Sequence, residues 1–477
     1  MLKFNQSVLA ILLGFIVCHS VYSEEFVLKK TNQQNPTLLT QATVKEDPII
    51  NQQTWKINSD QVTNLLNAKI NQSIEFSDFP VMSIETEITQ KTAFSSIKLT
   101  RYDVFAKGAK LYKVTANGMQ EINKPNLLAF SSFKHGVGLT INPKTGETMG
   151  YYNHQGVSLN IGGNVQTALT FQLPQENTQD NDVIKQCSMK MANQPKISLN
   201  EIKLSSKSLE NNTIKRGSVD YQAVIAVDTD NEWMVGKGNN TTTASTYITN
   251  MFVNMNVYFE RDFSTRLLIG DTFLRVAADP FPTEPNISQY LSDFGEYWLA
   301  NNDAIDRDFA LLLSGQNISS NSFSGIAWLN VYCNKGFLNG GGPDTAGSYS
   351  VNRIGTNLPV GFVSQFVGHE LGHNFGSPHT HCYGSVNTPG FPGPIDNCFN
   401  AEGSSCYTGT PQCPVGGQGT IMSYCHFGAP NGAGCGTSDE NFHPTVISLI
   451  NTRIAANSPS CLAPLISNDA IFTNGFE

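Results

Sequence analysis

Four residues in the last third of the chain could do chemistry by type and spacing: His369, Glu370, His373 and His379. Two imidazoles four positions apart lie about 40° apart around a helix axis, so on a helix they share one face. The flanking sequence favours that helix. Pro359 suits a first turn, and Phe362, Val363, Phe366, Val367 and Leu371 keep a helical period as far as Phe375. Val367 and Leu371 fall roughly opposite the histidines, where they can anchor the helix in a core. Gly376 permits the left-handed backbone that ends a helix, and the reversal lets His379 approach the same point from outside. Three neutral imidazoles with one position left open describe a catalytic zinc site rather than a closed structural one. Glu370 is not expected to bind the metal. It is placed to act as general base, taking a proton from a water that the metal acidifies from a pKa of ~15.7 to ~7, and passing it to a leaving amine.

These residues need a scaffold, and strand and helix signals alternate upstream of them. Tyr221–Asp228 reads as a buried strand, and Ala244–Phe259 as a helix with Ile248, Met251, Phe252, Met255 and Phe259 at helical spacing. Arg266–Gly270, Phe309–Leu313 and Gly325–Val331 read as further strands, with a helix over Asn286–Asn301 between the first two. A last helix opens at Pro444 and runs to about Ala456. This alternation predicts an α/β domain with a twisted, mostly parallel sheet. Residues 24 to about 200 differ: they are rich in Thr, Val and Ile, and Val137–Ile141 reads as a strand entering a turn at Asn142-Pro143. Between the two parts, 201–218 is polar and contains Lys215-Arg216, a composition that suits an exposed linker open to proteolysis.

The compartment follows from the N-terminus and the cysteines. Lys3, the apolar run Val8–Val17 and the small residues Val21 and Ser23 have the order of a secretory signal peptide, 1–23. The run is shorter than the roughly 20 residues a membrane span needs. Eight cysteines (Cys333, Cys382, Cys398, Cys406, Cys413, Cys425, Cys435 and Cys461) lie in the last third, which in an exported chain predicts a disulfide-rich C-terminal subdomain of unstated pairing. Cys187 is left over. The net charge of −9 with no long Lys/Arg run suggests no nucleic-acid partner and no anionic-membrane one.

His369–His379 (HELGHNFGSPH) resembles the zinc signature of the metzincin metalloproteases, and Gly419–Cys425 (GTIMSYC) is similar to their methionine turn. Within metzincins the adamalysin/reprolysin group is the nearest likeness. Its support is the cysteine-rich tail and Ser324–Cys333, which resembles that group's edge strand beside the substrate cleft. The resemblance covers roughly 218–465. It implies a secreted zinc metalloendopeptidase with one catalytic ion, protein or peptide substrates, and a monomeric catalytic domain at 217–466. A β-rich propeptide at 24–216 would precede that domain and a short tail, 467–477, would follow it. Met422 would lie below the metal as packing, and a substrate would lie antiparallel to Gly325–Leu329, fixed by backbone hydrogen bonds. Cys187, upstream of the basic pair, would be a latency ligand filling the metal's open position; a plain unpaired thiol is the alternative.

Two departures stand out. Thr380 replaces the aspartate that adamalysins carry after the third histidine, and His381 could compete with His379, although the spacing favours His379. Tyr424, two residues after Met422, would either steady an oxyanion or simply pack in the turn. Trp328 reads as core. Asp228 and Asp230 could suggest calcium, but a turn with solvated acids is the plainer reading. Two rival functions remain: a disulfide-rich adhesion protein with structural zinc, which would have no use for Glu370, and a metal-dependent amidase, which would need a closed pocket.

Overall fold

A computed structural model describes residues 53–81, 93–154, 157–172, 185–191 and 219–465, apart from 278, 321, 330, 340–343, 385–390, 392, 404–405, 416–418 and 436–439. The expected signal peptide, the Lys215-Arg216 pair with the boundary at 216, and the tail lie outside the described residues. Among the described residues no helix is long and apolar enough to cross a membrane.

The N-terminal part contains β1 (Gln53–Trp55), α1 (Ser59–Asn67), β2 (Ser73–Val81), β3 (Ala93–Tyr102), the hairpin β4 (Leu111–Thr115) and β5 (Gly118–Ile122), then β6 (Leu128–Ser132), β7 (Val137–Ile141), β8 (Glu147–His154), β9 (Val157–Asn164), β10 (Ala168–Gln172) and β11 (Lys185–Met191). After residue 219 come β12 (Tyr221–Thr229), α2 (Asn231–Gly236), α3 (Thr241–Phe263), β13 (Thr265–Arg275), α4 (Ile287–Asn301), β14 (Phe309–Ser314) and β15 (Phe323–Leu329). The chain continues with β16 (Phe337–Leu338), β17 (Thr345–Ala346), β18 (Tyr349–Ile354), α5 (Val360–Asn374), α6 (Pro444–Asn457) and β19 (Ala463–Pro464).

Two large sheets result. The first has the order β1-β10-β9-β8-β7-β6-β3-β2 and is antiparallel throughout. Successive side chains of its strands point to opposite faces. In β7, Val137, Leu139 and Ile141 join Trp55, Phe76, Phe79 and Phe171 in one core, while Thr140 between them donates to Asn250 on α3. The second sheet runs β11-β15-β18-β14-β12-β13-β4-β5, with β19 beside β12. Its centre, β18, β14, β12, β13 and β4, is parallel, whereas β15, β5 and β19 join antiparallel. The expectation of one mostly parallel sheet is therefore too simple: the molecule is mixed α/β, with a wholly antiparallel sheet beside a mixed one. Strands β12 and β14, apolar without alternation, are buried on both faces, as central strands between helical layers must be.

α3 sits between the sheets. It starts where the Asn240 side chain accepts from the Thr242 and Thr243 amides and ends at Ser264 in the left-handed conformation. It has almost no solvent face because β6–β8 cover one side, and β13 and α5 the other. Its polar residues are consequently paired: Asn256 bonds both the backbone and Tyr102, and Arg266 of β13 meets Glu260 at 2.5 Å over the Tyr102 ring. Strands from both sides of residue 216 thus share a sheet and a core, since Tyr102, Val104, Phe105 and Leu111 pack with the residues of α3 and α5.

The aspartates need a correction. Asp228 and Asp230 are fully buried rather than solvated. Asp228 takes a two-pronged bond from Arg275, both at 2.8 Å, and a third from the Trp298 indole at 3.1 Å. Asp230 caps α2 through the Trp233 amide at 2.7 Å and also accepts from the Gly315 amide at 2.9 Å. Each carboxylate is used in joining β12 to its neighbours, and among the described residues neither belongs to a cluster able to hold an ion. Trp328 is core, as expected.

Candidate metal centre

The site is made where α5 ends. The helix runs over Val360–Asn374, and its apolar residues Val363, Val367 and Leu371 lock it into the main core. Asn374 in the last turn donates to the carbonyls of Trp328 at 2.9 Å and Tyr349 at 3.0 Å, which fixes the helix end against β15 and β18. Gly376 has φ +104°, and the Gly376 and Ser377 amides return to His373 and Gly372. These two bonds are the Schellman ending that turns a chain sharply off a helix. A Cβ at Gly376 would fall 1.5 Å from the Arg453 guanidinium, so the turn admits no side chain. His379 is carried back by this turn as foreseen.

The three imidazoles converge. His379 Nε2 lies 3.2 Å from His369 Nε2 and 3.1 Å from His373 Nε2. Each Nδ1 faces an oxygen: Ile421 O at 2.6 Å for His369, Ser377 O at 2.7 Å for His373, and the Glu402 carboxylate at 2.7 Å for His379. A carbonyl or carboxylate oxygen only accepts, so each Nδ1 carries the proton and each Nε2 presents a lone pair inward. Burial, with the neighbouring His379, holds His369 down to about 3, and burial likewise pushes His373 well below its ordinary value. Neutral rings with clustered lone pairs repel unless a cation sits among them, and this donor set fits zinc.

The surroundings of the triad come from loops. Met422 is fully buried beneath α5, and a Cβ at Gly372 would come within 2.5 Å of its sulfur. Its carbonyl accepts from both the Thr380 amide and hydroxyl, so Thr380 ties the third histidine's segment to the methionine turn. The Tyr424 ring packs 4.0 Å from the His379 ring and nearly parallel to His369, at 10°. His381 lies outside the cluster of His369, His373 and His379, and its Nε2 meets Glu402 at 2.6 Å. Four disulfides fix the loops, Cys333–Cys461, Cys382–Cys406, Cys398–Cys425 and Cys413–Cys435, and account for all eight clustered cysteines.

Glu370 is fully buried beside β15. A Cβ on Gly325 would lie 2.3 Å from its Oε1, so only glycine lets the carboxylate reach the strand at this point. On the other flank of β15 the strand β11 pairs parallel, with Cys187 in register with Gly325. Glu402 is the functional residue that the sequence reading missed. It lies 21 to 23 positions after its histidine partners, in a loop with no periodic signal; its one hint is its place between Cys382 and Cys406.

The Reprolysin_5 model of metallo-peptidase family M12 matches residues 220–431, a stretch that holds every site residue named here except Cys187. Such a match implies zinc metalloprotease activity for residues 220–431. A search of curated proteins finds no match. Among solved structures, the chain is similar to "Structure of a chaperone-substrate complex" at 16% identity and a TM-score of 0.28, covering 50% of this chain and 35% of that one. It is also similar to "Crystal Structure of metalloproteinase-II from Bacteroides fragilis" at 10% identity and a TM-score of 0.33, covering 70% and 89% respectively. The chain spans about a third of the first of these, and at such scores neither likeness bears on the fold or activity of residues 220–431.

Proposed function

We propose that the protein is a secreted precursor of a zinc metalloendopeptidase, in which His369, His373 and His379 hold the ion and Glu370 is the general base. The observation that carries this reading is the convergence of three imidazoles, with His379 Nε2 3.2 Å from His369 Nε2 and 3.1 Å from His373 Nε2, beside the buried Glu370 of α5, which faces β15. A structural zinc site in an adhesion protein has no use for that glutamate. Zinc, when bound, supplies Lewis acidity that polarises a scissile carbonyl and acidifies water. The chain supplies the rest. Glu370 takes the proton of the attacking water and gives it to the departing amine. The β15 backbone receives an extended peptide by strand addition, which tolerates many sequences. Tyr424, against His379, is the candidate donor to the oxyanion.

Latency follows from the partner that β15 already has. β11 occupies the border where an antiparallel substrate would add, and it runs parallel, so a substrate cannot pair there while β11 remains. The register of Cys187 opposite Gly325 supports its thiolate as the metal's fourth ligand in the precursor. A casein or peptide-library digest by mature protein, with a chelator arm and a Glu370→Gln arm, tests the class. Cleavage lost in both arms is expected; activity that survives Glu370→Gln overturns the role of the base. The Cys187→Ala precursor should become active early, and an equally latent variant removes the thiolate from the account.

A further inference from the structure

Two of the three imidazoles are oriented by neutral backbone carbonyls, and the third by a charge. Glu402 is mostly covered, its side chain 19% exposed, and both its oxygens lie 2.7 Å from His379 Nδ1. Its Oε2 also accepts from His381 Nε2 at 2.6 Å, and the His381 ring lies parallel to that of His379, at 6°. Its loop is pinned from both ends of the contact: Cys382, next to His381, is bonded to Cys406, and the Tyr407 amide donates to the His381 carbonyl at 2.8 Å.

We propose that Glu402 is a positioning residue of the metal centre: its carboxylate fixes the tautomer and the aim of His379, and His381 serves to hold that carboxylate in place. The inference rests on the proposed function only in taking His379 as a metal ligand. A carboxylate behind an imidazole makes the opposite nitrogen a stronger donor than a carbonyl does, and losing such a partner weakens metal binding by roughly 10–100-fold. His379 is also the ligand that most needs fixing, because it stands on a loop past Gly376 whereas His369 and His373 are held by the frame of α5.

The test is competition of metal-free full-length protein with a fluorescent chelator for zinc, read beside the thermal midpoint of the metal-free state. Glu402→Gln keeps one acceptor and loses the charge; it should weaken zinc by about 10-fold or more while moving the metal-free midpoint little. His381→Gln should weaken zinc by a smaller factor. If Glu402→Gln does not fold, Glu402→Asp, which retracts the charge by one methylene, is expected to show the same loss of affinity in a folded protein. Affinity equal to wild type in a folded variant overturns the inference, as does a loss no larger than the fall in metal-free stability explains. Wild-type protein that takes up no zinc would sink the proposed function and this inference together, whereas equal affinities sink this inference alone.

Discussion

The metal centre has two halves built on different principles. His369, Glu370 and His373 stand on α5, where the helical repeat sets their spacing and a buried apolar face sets their direction. His379, Met422, Tyr424 and Glu402 stand on loops with little regular structure, held by disulfides, backbone hydrogen bonds and packed rings. The helical half is precise because the backbone bonds itself; the loop half is precise because other parts of the chain hold it. Damage should therefore look different in the two halves: lost chemistry on an intact fold in the first, and lost support in the second.

The largest effect should come from the helical half. His373→Ala removes a ligand from a rigid frame and is expected to abolish stoichiometric zinc and detectable peptidase activity while the far-UV spectrum stays native; retained zinc would mean that the loop half can bind unaided. Gly376→Ala strikes the joint between the halves. With φ at +104° and Arg453 in the way, it should cost about 3 kcal/mol or more, read from the denaturant midpoint. A midpoint unchanged from wild type would show that the joint can be reshaped. In the loop half, replacing Cys398 and Cys425 together by Ser opens a bond between residues 27 apart and should cost roughly 2–4 kcal/mol, with zinc affinity falling as the methionine turn loosens. An unchanged affinity would place the support of that turn elsewhere.

The smallest effect is one of pH. Glu440, beside the methionine turn, is pushed up to about 8 by burial, whereas in an unfolded chain it titrates near the ordinary carboxylate value of 4.5. The folded form then holds a proton that the unfolded form gives up, so stability is full below that ordinary value and declines as pH rises through the interval up to about 8. Glu440→Gln should flatten the decline of the thermal midpoint over this range. An equal slope in both proteins would assign the loss to the other carboxyls pushed up by burial, Asp308 to about 7 and Asp230 to about 6.

Legibility in the sequence divides along the same line. The residues of α5 were readable because a repeat and a motif are both local: the expected helix, its glycine stop and the returning histidine are all present. The strands beginning at Tyr221 and Phe309 were readable for the same reason, as apolar runs bounded by turns. Other features depend on contacts distant in sequence. No short-range pattern announces that the β4–β5 hairpin adds to β13, or that β11 adds to β15. Nor does one announce that Glu402 stands behind His379. Asp228 and Asp230 were misread for a related reason: acids near a turn look solvated until Arg275, from the neighbouring strand, arrives to pair with one of them. The antiparallel first sheet was legible as strands but not as a partner of α3, because its second face is covered by a helix more than a hundred residues downstream.

One consequence lies in how the second sheet is bordered. Segments from before the linker are annealed to both of its margins, β4–β5 against β13 and β11 against β15. Severing the stretch between Met191 and Tyr221 would break no rung of either ladder. If the part before residue 216 is the propeptide proposed above, the cleaved molecule would persist as a nicked, two-piece complex, and a tethered inhibitor would become one that obeys mass action. Onset of proteolysis would then be governed by dilution, or by destruction of the detached piece, rather than by the first cut.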